Sequence, residues 1–275
     1  MRIEDYALIG DLKTAALVGR NGSIDWLCWP HFPSESCFAN LLGTEDNGFW
    51  KIDPAEQITT TSRQYEEHTL ILKTTFETEH GKVQLTDFMP PRREHSHIIR
   101  IVKGLAGQVH MRSEIALRFS YGSAVPWVTR TKNGIRAVAG PDTVEFHTSA
   151  PLTGEHLRTL SDFTLREGQS VSFTLTYGNY GDYSENGEFQ VLDADDLYTQ
   201  TKQFWCEWTS RNNYEGKYGD YVERSLITLK GLIFASTGGI VAAPTTSLPE
   251  DIGGIRNWDY RYCWLRDTTF TLLAL

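Results

Sequence analysis

No Cys-x-x-Cys pair occurs in this sequence. Its four cysteines, Cys28, Cys37, Cys206 and Cys263, stand far apart, which argues against a disulfide framework and against a cysteine zinc site. Four reduced thiols in a cytoplasmic protein are the expectation. Long apolar runs are also missing. Nowhere do about 18 apolar residues follow one another, so no membrane-spanning helix is expected. The opening MRIEDYALIGDLKTAALVGR carries acids early and lacks an apolar core of secretory length. Basic runs are absent as well: 26 Lys and Arg against 35 Asp and Glu leave a net charge of −9. A nucleic-acid partner, which needs a Lys/Arg stripe to neutralise phosphates, is thereby disfavoured. The histidines, His95 and His97 among them, fall into no ligand spacing, and no metal or cofactor is expected.

What is present is ordinary globular material, 40% hydrophobic and 22% charged over 275 residues, and long enough for more than one domain. The first two thirds reads as β structure. TAALVGR and SIDWLCW flank Asn21-Gly22, a dipeptide that suits a type I′ hairpin turn. HTLILKTTFET, KVQLTDFMP, HIIRIVKGL and VHMRSEIALRF are rich in β-branched and apolar residues. In SVSFTLTYG, Val171, Phe173, Leu175 and Tyr177 alternate with Ser and Thr, placing the apolar set on one face. Gly, Asn, Asp and Pro punctuate these runs, as at 140–143 and 166–169. Many short strands without helical patterns between them predict an antiparallel, many-stranded β-sandwich and not a βαβ fold.

After about residue 192 the period changes. In DADDLYTQTKQFWCEW, Leu197, Tyr198, Thr201, Phe204, Trp205 and Trp208 recur at helical spacing, with aspartates available for the N-cap and first turn. A polar break over 211–220 follows. A second helix is predicted from about Tyr221 to Ala235, its apolar face being Tyr221, Val222, Leu226, Leu229, Leu232 and Ile233, with Gly238-Gly239 as its stop. IVAAPTTSLPEDIGG reads as an extended loop. Asp267 is placed to N-cap a third helix, TTFTLLAL. That apolar helix has barely begun at Leu275, so the chain is expected to be part of something longer.

Between these helices, GGIRNWDYRYCWLRD packs four aromatic rings, three arginines and two aspartates into positions 253–267. A core rejects charge at this density, and ordinary surfaces rarely carry so many rings, so the stretch reads as a binding surface. The hydroxyl-rich edge of a sugar calls for forked donors and carboxylate acceptors, and its weakly apolar face calls for rings. Arg266 and Asp267 supply the first, Tyr260 and Trp264 the second. The plainer alternative is that Arg266 and Asp267 form a helix-capping ion pair while the rings fill core.

Two long blocks, YALIGDLKTAALVGRNGSIDWLCWPHFPSESCFANLLG near the start and APTTSLPEDIGGIRNWDYRYCWLRDTTFTLLAL at the end, resemble glycoside hydrolase family 15, the glucoamylase and trehalase-like enzymes. The resemblance covers essentially the whole chain. It implies a trehalase-like N-terminal β-sandwich over 1–192 and a linker helix and loop over 193–217. Residues 218–275 would then hold the first helix and the start of the second helix of an incomplete (α/α)6 barrel. It implies an inverting hydrolase of terminal α-glucosidic bonds, acting on an α-glucan, a maltooligosaccharide or trehalose. Tyr260, Trp264, Arg266 and Asp267 would line the cleavage subsite. The general acid and base of such an enzyme, two carboxylates roughly 6.5–9.5 Å apart, are implied to lie beyond residue 275. Glu215, Glu223 and Glu250 are not in matching contexts, so this chain alone is expected to be inert. Arg256 and Arg261 are expected to be structural ion-pair partners. Asp11, Asp25, Trp26, Trp29 and Phe32 are expected to stitch the sandwich together, with the loop carrying Pro30 and Pro33 as its most substrate-accessible part. Two other readings stand beside this one: a non-catalytic carbohydrate-binding or structural sandwich, and a glycoside phosphorylase.

Overall fold

The computed structural model describes residues 1–179, 191–247, 250–251 and 253–275. The expected loop over 240–254 therefore lies partly outside the described residues, as does 180–190 at the end of the predicted sandwich. In chain order the strands are β1 (Tyr6–Gly10), β2 (Ala15–Gly19), β3 (Ser23–Cys28), β4 (Ser36–Phe38) and β5 (Phe49–Pro54). They continue with β6 (Ile58–Tyr65), β7 (Leu72–Thr78), β8 (Gly81–Phe88), β9 (Ser96–Ala116) and β10 (Trp127–Arg130). β11 (Gly134–Ala139), β12 (Asp142–Thr148), β13 (Thr153–Glu155), β14 (Arg158–Arg166) and β15 (Ser170–Asn179) complete the set.

These strands pair antiparallel throughout and form two layers joined by one long strand. The first half of β9 pairs with β8 and β15, and its second half pairs with β5 and β14. The sequence punctuation at Gly104 and Gly107 reads as a break between two strands. Instead it is the bend at which a single strand passes from one layer to the other. Gly107 adopts φ 63°, and a Cβ there would lie 2.2 Å from the His80 carbonyl oxygen, so only glycine permits the crossing. Large rings lock the layers face to face. Trp50 of β5 meets Phe146 of β12 edge-on at 5.3 Å, and Phe163 of β14 lies 5.5 Å from Phe173 of β15. Burying side chains of this size stabilises by about 1.5–3 kcal/mol each.

The Asn21-Gly22 hairpin forms between β2 and β3, with a different turn from the one its sequence suggests. The loop has three residues. Only Gly22 is left-handed (φ 78°), and Gly22 N–H donates to the Gly19 carbonyl at 3.0 Å. Asn21 instead uses its side-chain oxygen to accept from Ser23 N–H at 3.2 Å, a local turn that does not need positive φ.

Helix α1 (Ala194–Thr209) begins at Asp193, whose carboxylate accepts from the N–H groups of Asp195 and Asp196. Its Ala194, Leu197 and Tyr198 pack on Ile71, Phe88 and Ile99 of the sandwich. Further along, Trp205 joins Leu12, Leu70 and Ile227. Thr174 and Thr176, on the face of β15 opposite the apolar set, are also buried.

Glu66, in the β6–β7 connection, fastens this helix. It accepts from Tyr198 Oη at 2.7 Å and Lys202 Nζ at 2.6 Å, and it also pairs with Lys73. Burial alone would raise its carboxyl, but the two ammonium groups and the phenol outweigh burial and hold it at about 2. A folded pKa below the unfolded one adds stability that is complete above the unfolded pKa, about 4.3, and disappears as pH falls toward the folded value. The melting temperature is therefore expected to drop between about pH 4.5 and 2. Glu66→Gln should flatten that part of a Tm-versus-pH profile relative to the unchanged protein; identical profiles would refute the assignment.

Helix α2 spans Gly219–Gly231, four residues short of the predicted end. Leu232 is its C-cap, and Ile233 has left the helix for the short hairpin β16 (Ile233–Phe234) and β17 (Gly239–Ile240). Gly238-Gly239 turns this hairpin and does not stop the helix. Nor is the buried face the predicted one. Ile227 is fully buried and Tyr221 is 78% exposed. Helix α3 (Leu265–Ala274) closes the described chain. Among the described residues no helix is long and apolar enough to cross a membrane.

Candidate functional site

After β17 the backbone doubles back on itself. Val241 bridges Cys263 and Thr246 bridges Asp259. Ala242 N–H donates to the Tyr262 carbonyl at 3.1 Å, Ala243 N–H to that of Tyr260 at 2.9 Å, and Ser247 N–H to that of Trp258 at 2.7 Å. Residues 241–247 and 258–263 thus make an irregular antiparallel ribbon that leads straight into α3. The ribbon is tied to the sandwich on one side by Trp26, whose buried indole Nε1–H donates to the Pro244 carbonyl at 2.8 Å.

The second tie is Arg261. Its guanidinium forks onto Asp259, Nε to Oδ1 at 2.9 Å and Nη2 to Oδ2 at 2.8 Å. Nη1 reaches across to the sandwich, donating to the Ser34 carbonyl at 2.9 Å, Tyr121 Oη at 2.8 Å and Cys28 Sγ at 3.3 Å. Burial pushes the Cys28 thiol up to about 11, with Arg261 only partly offsetting it. Burial would raise the Asp259 carboxyl too, but the Arg261 fork leaves it below its ordinary range. The pair is thus charged and committed to each other, as the sequence suggested for Arg261. Arg256, by contrast, lies exposed, 3.9 Å from Glu250.

On the outward side the rings stack edge to face around Trp264. Tyr260 lies 5.3 Å away and Trp258 6.0 Å away. Trp264 Nε1–H donates to the Asp259 carbonyl at 3.1 Å, and the Arg266 guanidinium lies 6.0 Å from the Trp264 ring. Arg266 Nη2 pairs with Asp267 Oδ2 at 3.0 Å, with the two side chains 65% and 34% exposed. The structure brings Tyr260, Trp264, Arg266 and Asp267 onto one short turn. Asp267 does not cap α3. Trp264 occupies that position without a side-chain cap bond, and Asp267 falls in the first helical turn, where its negative charge still complements the helix dipole.

The N-terminal residues singled out in the sequence are internal. Asp25 accepts from Tyr6 Oη, Ser23 Oγ and Asn40 Nδ2. Asp11 holds Arg92, Ser96 and two backbone N–H groups of its own loop. Trp29 Nε1–H reaches Ser96 Oγ at 2.9 Å, and Phe32 packs with Ala15, Leu232 and Val241. His97 is half-buried, and desolvation, followed by His95 and Arg92, holds its ring down at about 4. Sequence reasoning missed Tyr121 and Ser34 as partners of the motif. They lie 140 and 227 residues from Arg261, and no local pattern announces contacts at that separation.

A model described as trehalase-like, N-terminal, matches residues 1–151, more than half of the chain. The chain belongs to the trehalase-like N-terminal family. A second model, glycosyl hydrolases family 15, matches residues 216–275, the part that carries α2, the ribbon and α3. Among curated relatives, a trehalase of Thermoplasma volcanium is 31% identical over 281 residues, covering 100% of this chain and 44% of its own length. A trehalase of Mycobacterium tuberculosis is 30% identical over 302 residues, covering 99% of this chain and 43% of its own. The chain thus spans less than half the length of these relatives. A crystal structure of a bacterial glucoamylase complexed with acarbose superposes on 96% of this chain and 46% of its own, with a TM-score of 0.66 at 11% identity. That likeness speaks to the fold: a many-stranded antiparallel sandwich followed by the opening helices of an (α/α)6 barrel.

In this trehalase-like chain three carboxylates near the ribbon already have partners. Asp259 is locked by Arg261, Glu250 accepts from Trp258 Nε1 at 3.1 Å, and Asp267 holds Arg266.

Proposed function

We propose that a protein of the relatives' length built on this chain hydrolyses a terminal α-glucosidic bond, with trehalose as its preferred substrate. Arg266 and Asp267 grip hydroxyls of the glucosyl unit, and Tyr260 and Trp264 line the subsite. One observation carries this: the region matched to the glycosyl hydrolase model sets a forked cation and a carboxylate, paired with each other, beside an aromatic ridge. The name trehalase, carried by the curated relatives, supports trehalose as the substrate. On this reading residues 1–192 are the sandwich domain, 193–217 the linker and 218–275 the barrel's beginning. The acid and base are a carboxylate pair supplied from outside these 275 residues and spaced for an attacking water. The protein works in the cytoplasm, in keeping with four unpaired thiols.

The test is to incubate a protein of the relatives' length with trehalose and follow the anomers by NMR. Inversion at one centre of the α,α-linkage is expected to release β- and α-glucose in equal first amounts, with no turnover by the 275-residue chain alone. Inactivity toward both trehalose and maltooligosaccharides would overturn the proposal, as would phosphate-dependent release of glucose 1-phosphate.

A further inference from the structure

The binding turn runs into α3 and is also tied to the sandwich. Its charged anchor faces the sandwich. Arg261 is 7% exposed, and its guanidinium spends one edge on Asp259 and the remaining nitrogen on Cys28 at the end of β3 and on Ser34 and Tyr121 in sandwich loops. From there a continuous path runs outward. Asp259, fixed by Arg261, offers its carbonyl to Trp264 Nε1; Trp264 heads α3 and supports the Arg266 guanidinium.

The sandwich side of this contact is built at a cost. Ser120 and Tyr121 adopt φ 51° and 60°, followed by Gly122 at 97°. Two successive non-glycine residues in the left-handed region persist only where surroundings over-determine them. Here Asn47 Nδ2 donates to the Tyr121 carbonyl at 2.9 Å while Tyr121 Oη receives Arg261. The strained turn serves to aim one hydroxyl at one guanidinium. A lysine, a point charge on a flexible stem, could not serve Asp259 bidentately and reach three acceptors as well.

We propose that Arg261 is a positioning residue through which the sandwich loops around Ser34 and Tyr121 set the angle at which Arg266 and Asp267 meet a sugar. This rests on the subsite role proposed above for that couple. The sandwich is then part of the binding apparatus, acting through a buried joint without itself touching substrate.

Two measurements on a protein of the relatives' length test it. Tyr121→Phe removes one hydroxyl, keeps the ring and leaves the fold intact. Amide exchange over 264–268, including the Thr268 N–H that bonds to the Trp264 carbonyl, is expected to quicken at least about threefold, the order of one lost hydrogen bond. Unchanged exchange overturns the joint, whatever the enzyme acts on. For catalysis, Tyr121→Phe is expected to lower kcat/KM on trehalose by roughly 3–10-fold with Tm unchanged. Arg261→Lys is expected to lower it further. In an Arg266→Ala background the Tyr121→Phe loss should vanish, because coupled positions are non-additive. Additive losses would reduce Arg261 to a stability element. Should the unmodified protein turn over no α-glucoside, the subsite reading fails by itself, while the exchange result still decides whether the joint holds the turn.

Discussion

Arg100→Leu is expected to lower the unfolding free energy of the chain by about 3–5 kcal/mol, the cost of stranding one partner of a buried ion pair. Arg100 and Asp87 are both fully buried, with Nε on Oδ1 at 2.8 Å. The remaining donors leave the pair's own sheet. Nη1 donates to the Trp50 carbonyl at 2.7 Å and Nη2 to the Gly22 carbonyl at 2.6 Å, while the guanidinium lies 4.8 Å from the Trp50 ring. One side chain on β9 thus satisfies carbonyls of the opposite layer at β5 and at the hairpin turn. Burial raises the Asp87 carboxyl despite Arg100 beside it; without Arg100 it would be a lone charge in the core. A midpoint shift in urea measures the loss, equivalent to roughly 6–20 °C in Tm for a domain of this size. In Arg100→Leu/Asp87→Leu the stranded charge is gone and much of the loss should return, short of about 0.5–1.5 kcal/mol for each hydrogen bond lost at the Trp50 and Gly22 carbonyls, the latter of which keeps the Ile52 N–H at 3.1 Å. A single-mutant loss below about 1 kcal/mol would mean that water enters this core.

Arg100 also marks where sequence reasoning stops. In HIIRIVKGL it reads as a polar interruption of an apolar strand, since its acceptors at Trp50 and Gly22 are 50 and 78 residues away. What was legible was local. The alternation in SVSFTLTYG, the Asn-Gly hairpin and the aspartate-capped α1 each follow from residues within a few positions of one another. What was misread was local chemistry overridden at a distance. Gly231 falls inside the predicted helix, but it ends α2, where a side chain would press on Leu70 at 3.1 Å. Asp267, a good capping residue, lost the capping position because Trp264 is pinned by the Asp259 carbonyl five residues back. At the candidate site, the rings and the Arg-Asp couple were visible from composition alone. Their anchorage through Arg261 was visible only as an expected ion pair, since Cys28, Ser34 and Tyr121 lie 233, 227 and 140 residues away in sequence.

Arg266→Ala and Asp267→Asn, each made in a protein of the relatives' length, are expected to cut kcat/KM on trehalose by roughly 10–150-fold, about 1.5–3 kcal/mol for each charged hydrogen bond lost to the sugar. In the 275-residue chain the same changes should leave Tm nearly unmoved. The couple is an exposed pair of adjacent residues, and exposed pairs contribute about 0–1 kcal/mol to stability. Neighbours at i and i+1 do not face each other across a helix, so their contact at 3.0 Å is easily released in favour of a ligand. That contrast separates the two readings of the motif. If the couple existed to start α3, activity and stability would fall together, because Trp264 and the first helical turn would loosen. If it exists to hold a glucosyl edge, activity falls alone. Trp264→Phe serves as the control on the ring side. It keeps an aromatic face but removes the Nε1–H bond to Asp259, and it should weaken binding less than either change at 266 or 267. A loss in kcat/KM within twofold for both Arg266→Ala and Asp267→Asn would remove the couple from the subsite.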